Sequence, residues 1–130
     1  MPIQIKYTKD GGVIAEFKGS VTGREIKEAN ENLYASTEQT KKIAYQIADF
    51  SRASSVEITN AEIEELAEQD RNGAEGHPDM LIALVAEKDF VYGLSRMWES
   101  LSHDARFETM VFRKIEEAQG WIKEKLKNRS

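Results

Sequence analysis

The residues able to do chemistry are few and scattered. The chain has no Cys, which removes thiol nucleophiles, thiolate metal sites and disulfides. Its two histidines, His77 and His103, fall in different loops. Neither belongs to a His-Glu-x-x-His pair, so no metal is expected. Glu64-Glu65 and Glu116-Glu117 are adjacent in helical segments, where sequence neighbours point in different directions. They read as solvated faces, not as an acid–base couple. No Gly-x-Ser-x-Gly elbow, phosphate-binding loop or dinucleotide fingerprint occurs, and no cofactor is implied. Ser51, His103 and Asp49 are the set from which a hydrolase triad can be assembled, but many chains offer as much. A non-enzymatic protein is expected, with an uncharacterised hydrolase the remaining alternative.

Binding chemistry is better represented. In open α/β sheets ligands sit beyond the carboxyl ends of parallel strands, where helix N-termini present free amides. Those ends carry Lys18, Arg52, Lys88 and Arg113 with Lys114. Together with the helix dipoles they define a basic rim on an acidic protein, suited to a small anion or an acidic partner. The plain alternative is four solvated loop cations. Asp49 is placed to accept hydrogen bonds from amides of the 51–55 loop and fix Ser51; a simple strand-end cap is the competing role. A second chemistry lies in the stripe Phe90, Leu94, Met97, Trp98 and Leu101. Tyr92, Leu94, Met97 and Trp98 are the candidate lining of an apolar pocket, which would make the chain a carrier of a lipophilic small ligand. The plain alternative is the core face of a helix.

Short local signals define the elements that must position these groups. Ile3, Ile5 and Tyr7 alternate, Lys9-Asp10-Gly11-Gly12 follows, and residues 13–17 are apolar again. This is a hairpin, because glycine accepts positive φ. Thr22 with Glu25 forms a capping box that opens a helix through Ile26, Ala29, Leu33 and Tyr34, ending near residue 35. Residues 36–40 read as a polar connector. Residues 43–50 fit a strand that ends in a Ser/Arg-rich loop, 51–55. A second capping box, Thr59 with Glu62, opens a helix carrying Ile63, Leu66 and Ala67, with Glu62, Glu64, Glu65, Glu68 and Asp70 on its polar side. Residues 80–86 form an unbroken apolar run, the pattern of a central strand. His77-Pro78-Asp79 spells the tripeptide of J-domain co-chaperones, yet Pro78 delivers the chain into that strand, and it reads as a turn. Asp89 is the expected cap of the next helix, and Gly93 within it suggests close packing. A strand near 107–112 and a helix through Ile115, Ala118, Trp121, Ile122 and Leu126 close the chain.

The order is β-β-α-β-α-β-α-β-α. It predicts a single-layer mixed α/β sheet of about five strands, the first hairpin antiparallel and the rest parallel, with about four helices. At 130 residues the whole chain, 1–130, is expected to be one domain. With crossovers winding one way, helices cover mainly one sheet face. The run 80–86 then needs a returning helix, a ligand or a second subunit, and the last keeps a homodimer open. Lys+Arg number 18 against 23 Asp+Glu, a net charge of −5, which argues against a general nucleic-acid binder. No apolar run reaches membrane-spanning length, and the first residues lack the apolar core of a signal peptide, so a cytoplasmic location is expected.

In this order the chain resembles SpoIIAA-like members of the STAS superfamily of anti-sigma-factor antagonists. The likeness is carried by Gly19-Ser20-Val21-Thr22, Ile47-Ala48-Asp49-Phe50, the segment from Phe90 to Met97, and Val111-Phe112-Arg113 leading into Glu117 to Ile122. It spans essentially the whole chain and rests on packing residues. The resemblance implies a small bacterial-type regulatory or ligand-binding module; some such folds are grouped with lipid-carrying CRAL-TRIO domains. It also implies a protein partner and a serine phosphorylated near the start of the helix after the third strand. In the antagonists that serine lies in an Asp-Ser-Ser-Gly-like loop. Here Ser54-Ser55 has no Asp before it and is followed by Val56, so Ser54 and Ser55 are phosphorylation candidates by position.

Overall fold

The computed structural model describes residues 3–75, 79–102 and 107–129. His77, Pro78 and His103 lie outside them, so the proposed turn at 77–79 and the Ser51/His103/Asp49 arrangement are not described. The elements are β1 (Ile3–Tyr7), β2 (Gly12–Thr22), α1 (Gly23–Leu33), α2 (Thr37–Lys41), β3 (Tyr45–Glu57), α3 (Asn60–Ala74), β4 (Leu81–Val85), α4 (Asp89–Leu101), β5 (Glu108–Phe112) and α5 (Ile115–Arg129). The sheet runs β1-β2-β3-β4-β5. Its first pair is antiparallel and the other three are parallel. The one-turn helix α2 stands where a polar connector was expected; the Thr40 hydroxyl donates to Ser36 O at 2.8 Å, closing the turn.

Local chemistry explains most boundaries. Gly11 sits at φ 87° in the hairpin turn, a conformation that a Cβ disfavours. Both capping boxes are formed: Thr22 and Thr59 accept from Glu25 N and Glu62 N, and each carboxylate reaches back to the cap amide at 2.9 Å. The hairpin is pinned to β3 by Tyr45, whose hydroxyl donates to Asp10 Oδ1 at 2.7 Å. Its ring lies so close over Gly12 that a Cβ there would meet Cζ at 2.0 Å.

Sequential parallel strands joined by crossovers of one sense place α1, α3 and α4 on one face. There Ile26, Ile63, Leu66, Val91 and Trp98 pack on Val13, Phe17, Phe50 and Ile82. The Phe17 and Phe50 rings stack with centroids 4.4 Å apart. On the other face Leu81, Ala83 and Val85 are covered by Ala118 and Ile122 of α5. The returning helix therefore supplies the cover that the apolar strand demanded.

Five expectations need correction. β3 does not end at Phe50; it continues through Ser51-Arg52-Ala53-Ser54-Ser55 to Glu57, paired with β2 as far as Thr22. Register shifts between Glu16 and Lys18 and between Gly19 and Ser20 let Phe50, Ala53 and Val56 all face the core. Bulges thus turn a three-residue apolar spacing into strand. Consequently Lys18 and Arg52 are register partners inside strands, not loop residues beyond strand ends. In α4 the N-cap is Lys88, with no side-chain cap bond, and Asp89 is the first helical residue. The helix is also rotated from the expected stripe: Val91, Ser95 and Trp98 are buried, whereas Phe90 is 67% and Met97 38% exposed. A Cβ on Gly93 would meet nothing within 4 Å, so close packing does not explain that glycine.

Candidate functional site

β4 is only five residues long, so the paired ends of β2 and β3 overhang the sheet beyond Val85. Between this overhang and the start of α4 lies an open groove of about 630 Å³, lined by Ser54, Ser55, Glu57, Thr59, Lys88 and Phe90, among others. Lys88 crosses from the β4–α4 loop and donates to Ala53 O at 2.8 Å and Ser54 O at 3.3 Å. Arg113, leaving β5, donates to Glu87 O at 2.9 Å and pairs with Asp89 at 2.7 Å. Its guanidinium lies 4.0 Å over the Tyr92 ring. The carboxyl edge is thus cross-linked by its own cations: Lys88 ties β4 to β3, and Arg113 ties β5 to the β4–α4 loop. Ser54 is exposed and Ser55 half-buried. Phe90 presents a large apolar side chain to solvent at the groove.

The other sequence-predicted residues sit nearby in differing roles. Asp49 Oδ1 accepts from Ser51 N at 2.9 Å, holding the backbone at the first bulge from within the strand. Lys18 and Arg52 lie beside Glu16, outside the groove. Glu16 bonds Lys6 at 2.6 Å, and its carboxyl is held below the usual range by that bond, then by the charges of Lys6, Lys18 and Arg52. The four cations therefore do not converge: one lines the groove, one is paired with an acid, and two flank Glu16. Glu57 and Glu62 face the same groove as Lys88, lowering its positive potential. Among the described residues no group of three or more His, Asp or Glu gathers as a metal site. Nor is any helix long and apolar enough to cross a membrane.

Sequence reasoning missed a second arrangement. Asp70, placed above on the polar side of α3, is only 5% exposed. Its Oδ1 accepts from the Tyr34 hydroxyl at 2.7 Å and Asn30 Nδ2 at 3.4 Å. Oδ2 accepts from Trp98 Nε1 at 2.9 Å. Gln46 Nε2 donates in turn to Tyr34 Oη at 2.9 Å. Burial raises the Asp70 pKa to about 6 against the opposing pull of Tyr34, Trp98 and Asn30. The signal was present in the spacing, since Asp70 follows Ile63, Leu66 and Ala67 at helical intervals of seven, four and three. Its acidic neighbours concealed it. Asp70, Leu94, Ser95 and Trp98 line a cavity of about 100 Å³ between the sheet and α1, α3 and α4; of the four residues nominated for an apolar pocket, Tyr92 and Met97 do not line it.

No protein-family model and no curated protein matches the chain in sequence. Solved structures match it in fold, among them two of SpoIIAA. One is the anti-sigma factor antagonist SpoIIAA in its unphosphorylated form, at 12% identity and TM-score 0.61, covering 93% of this chain and 97% of that one. The other is the Bacillus cell fate determinant SpoIIAA in its phosphorylated form, at 13% identity and TM-score 0.61, covering 92% and 98%. The five-stranded mixed sheet and its helices are the SpoIIAA fold.

Proposed function

We propose that this chain is a cytoplasmic, non-enzymatic regulatory module that docks an unlike protein partner at the groove between the β2–β3 overhang and α4, with Ser54 and Ser55 as the modifiable residues. The observation that carries the reading is the exposed Phe90 beside Ser54, Ser55 and Lys88, an apolar anchor set among polar groups, as docking surfaces require. The likeness to SpoIIAA, whose solved forms include a phosphorylated one, supports it. A phosphate on either serine adds about −1.5 to −2 charge. In this groove it would draw Lys88 from its carbonyl partners and repel Glu57 and Glu62, changing the surface that a partner meets. Free small anions are the weaker ligand, because Lys88 and Arg113 already serve internal acceptors and two acids face the groove. The sheet's second face has its own helix over β4, so a homodimer is not needed to explain it.

The test is comparative capture from the cells that make the protein, using the tagged full chain and its Lys88→Glu/Phe90→Asp variant. A discrete protein retained by the first and lost from the second, with unchanged melting temperature, is expected. Identical captured sets overturn the reading.

A further inference from the structure

We propose that the cavity between the sheet and helices α1, α3 and α4 is a binding site for a neutral short-chain molecule carrying one hydroxyl, which donates to Asp70. The site is separate from the groove, and its failure would leave the docking reading standing. Its lining is almost wholly apolar, with Phe17, Phe50, Leu66, Leu84 and Leu94 among the walls. Its volume of about 100 Å³ sets the ligand class. An apolar cavity of about 150 Å³ takes benzene, so this smaller space lies below ring size and suits a chain of a few carbons.

Polarity is supplied at one end. A carboxylate offers about four acceptor positions, two per oxygen. Asp70 Oδ1 receives two donors, Tyr34 and Asn30, while Oδ2 receives Trp98 alone. One acceptor position on Oδ2 is left, which matches a hydroxyl. Besides Asp70 only Asn30 and Ser95 are polar among the described lining residues, so an ammonium would exchange its hydration for a mostly apolar wall. An anion meets a carboxylate and no cation, because among the described residues no Lys or Arg lines the cavity. Entry is by the edge strand. Ile5, Ala29 and Leu33 line both this cavity and the surface groove between β1 and α1, so the two spaces share these side chains.

The experiment titrates 1-propanol and, separately, propane into the full chain at pH 7.5, reading methyl NMR shifts of Leu66, Leu84 and Leu94. Saturable shifts at these methyls are expected, with 1-propanol binding about fivefold tighter than propane, the value of one hydrogen bond near 1 kcal/mol. Asp70→Asn should weaken the preference, because its amide oxygen is a neutral acceptor in place of a charged one. Ala48→Leu, which extends a lining residue into the space, should abolish binding of both probes while the melting temperature holds or rises, so the test survives if Asp70→Asn fails to fold. Absent or non-saturating shifts, shifts that persist in Ala48→Leu, or equal affinity for the two probes in the unaltered chain overturn the assignment.

Discussion

Replacing Asp70 by Asn changes how stability depends on pH, and the sign follows from burial. The Asp70 pKa lies at about 6 in the folded chain against 3.8 for an unperturbed Asp. Between those values the folded state holds a proton that the unfolded state has released, so stability falls as pH rises through this window. Its contribution is fully present below 3.8 and lost above about 6. A shift of this size corresponds to about 3 kcal/mol, of which about 2 kcal/mol is expressed between pH 4.5 and 7.5. The Asn variant has no such titration, but its NH₂ must face one of the donors Trp98, Tyr34 or Asn30, at a cost of about 1–3 kcal/mol. The two proteins should therefore be of similar stability at pH 7.5, with the variant weaker by about 2 kcal/mol or more at pH 4.5. Urea unfolding followed by tryptophan fluorescence at both pH values measures this. Parallel curves, with a difference that does not change with pH, would refute the claim that burial at Asp70 outweighs its three hydrogen bonds.

Other substitutions test the packing. A Cβ on Gly73 would lie 2.4 Å from Tyr34 Cδ1, so Gly73→Ala should displace that ring and lower stability by about 1–3 kcal/mol despite its better helix propensity; an unchanged denaturation midpoint contradicts the contact. Gly93→Ala should do the reverse and stabilise by about 0.5–1 kcal/mol, since the position is helical, exposed and open. Phe17→Ala removes half of the buried stack with Phe50 and should cost about 3–5 kcal/mol in chemical denaturation. Thr59→Ala should cost about 1 kcal/mol through loss of its cap, with the fold retained by circular dichroism.

What was legible in the sequence was what short-range chemistry decides. The hairpin glycines, both capping boxes and the apolar run of β4 each act within a few residues, and the order of elements along the chain followed from them. The β3 extension was hidden because its core residues, Phe50, Ala53 and Val56, recur every three positions, a spacing that only paired bulges render as strand. The α4 face was misplaced by one side of the helix because Ser95 and Ser102, both buried, dilute the true apolar stripe, while exposed Phe90 and Met97 imitate one. For the candidate site, Lys88, Ser54 and Ser55 were nominated from their order along the chain. That Lys88 spends its charge on backbone carbonyls, and that Lys18 and Arg52 turn beside Glu16, depends on strand register and was not readable. Asp70 was obscured by the acidic run around it.

The docking surface is tested most directly by a photo-crosslinking side chain, p-benzoylphenylalanine, placed at position 90 and, in a separate protein, at exposed position 120 on α5. Irradiated in the cells that make the protein, position 90 should give one discrete adduct that Lys88→Glu diminishes, and position 120 should give none. The same adducts from both positions, or no adduct from position 90, would contradict it.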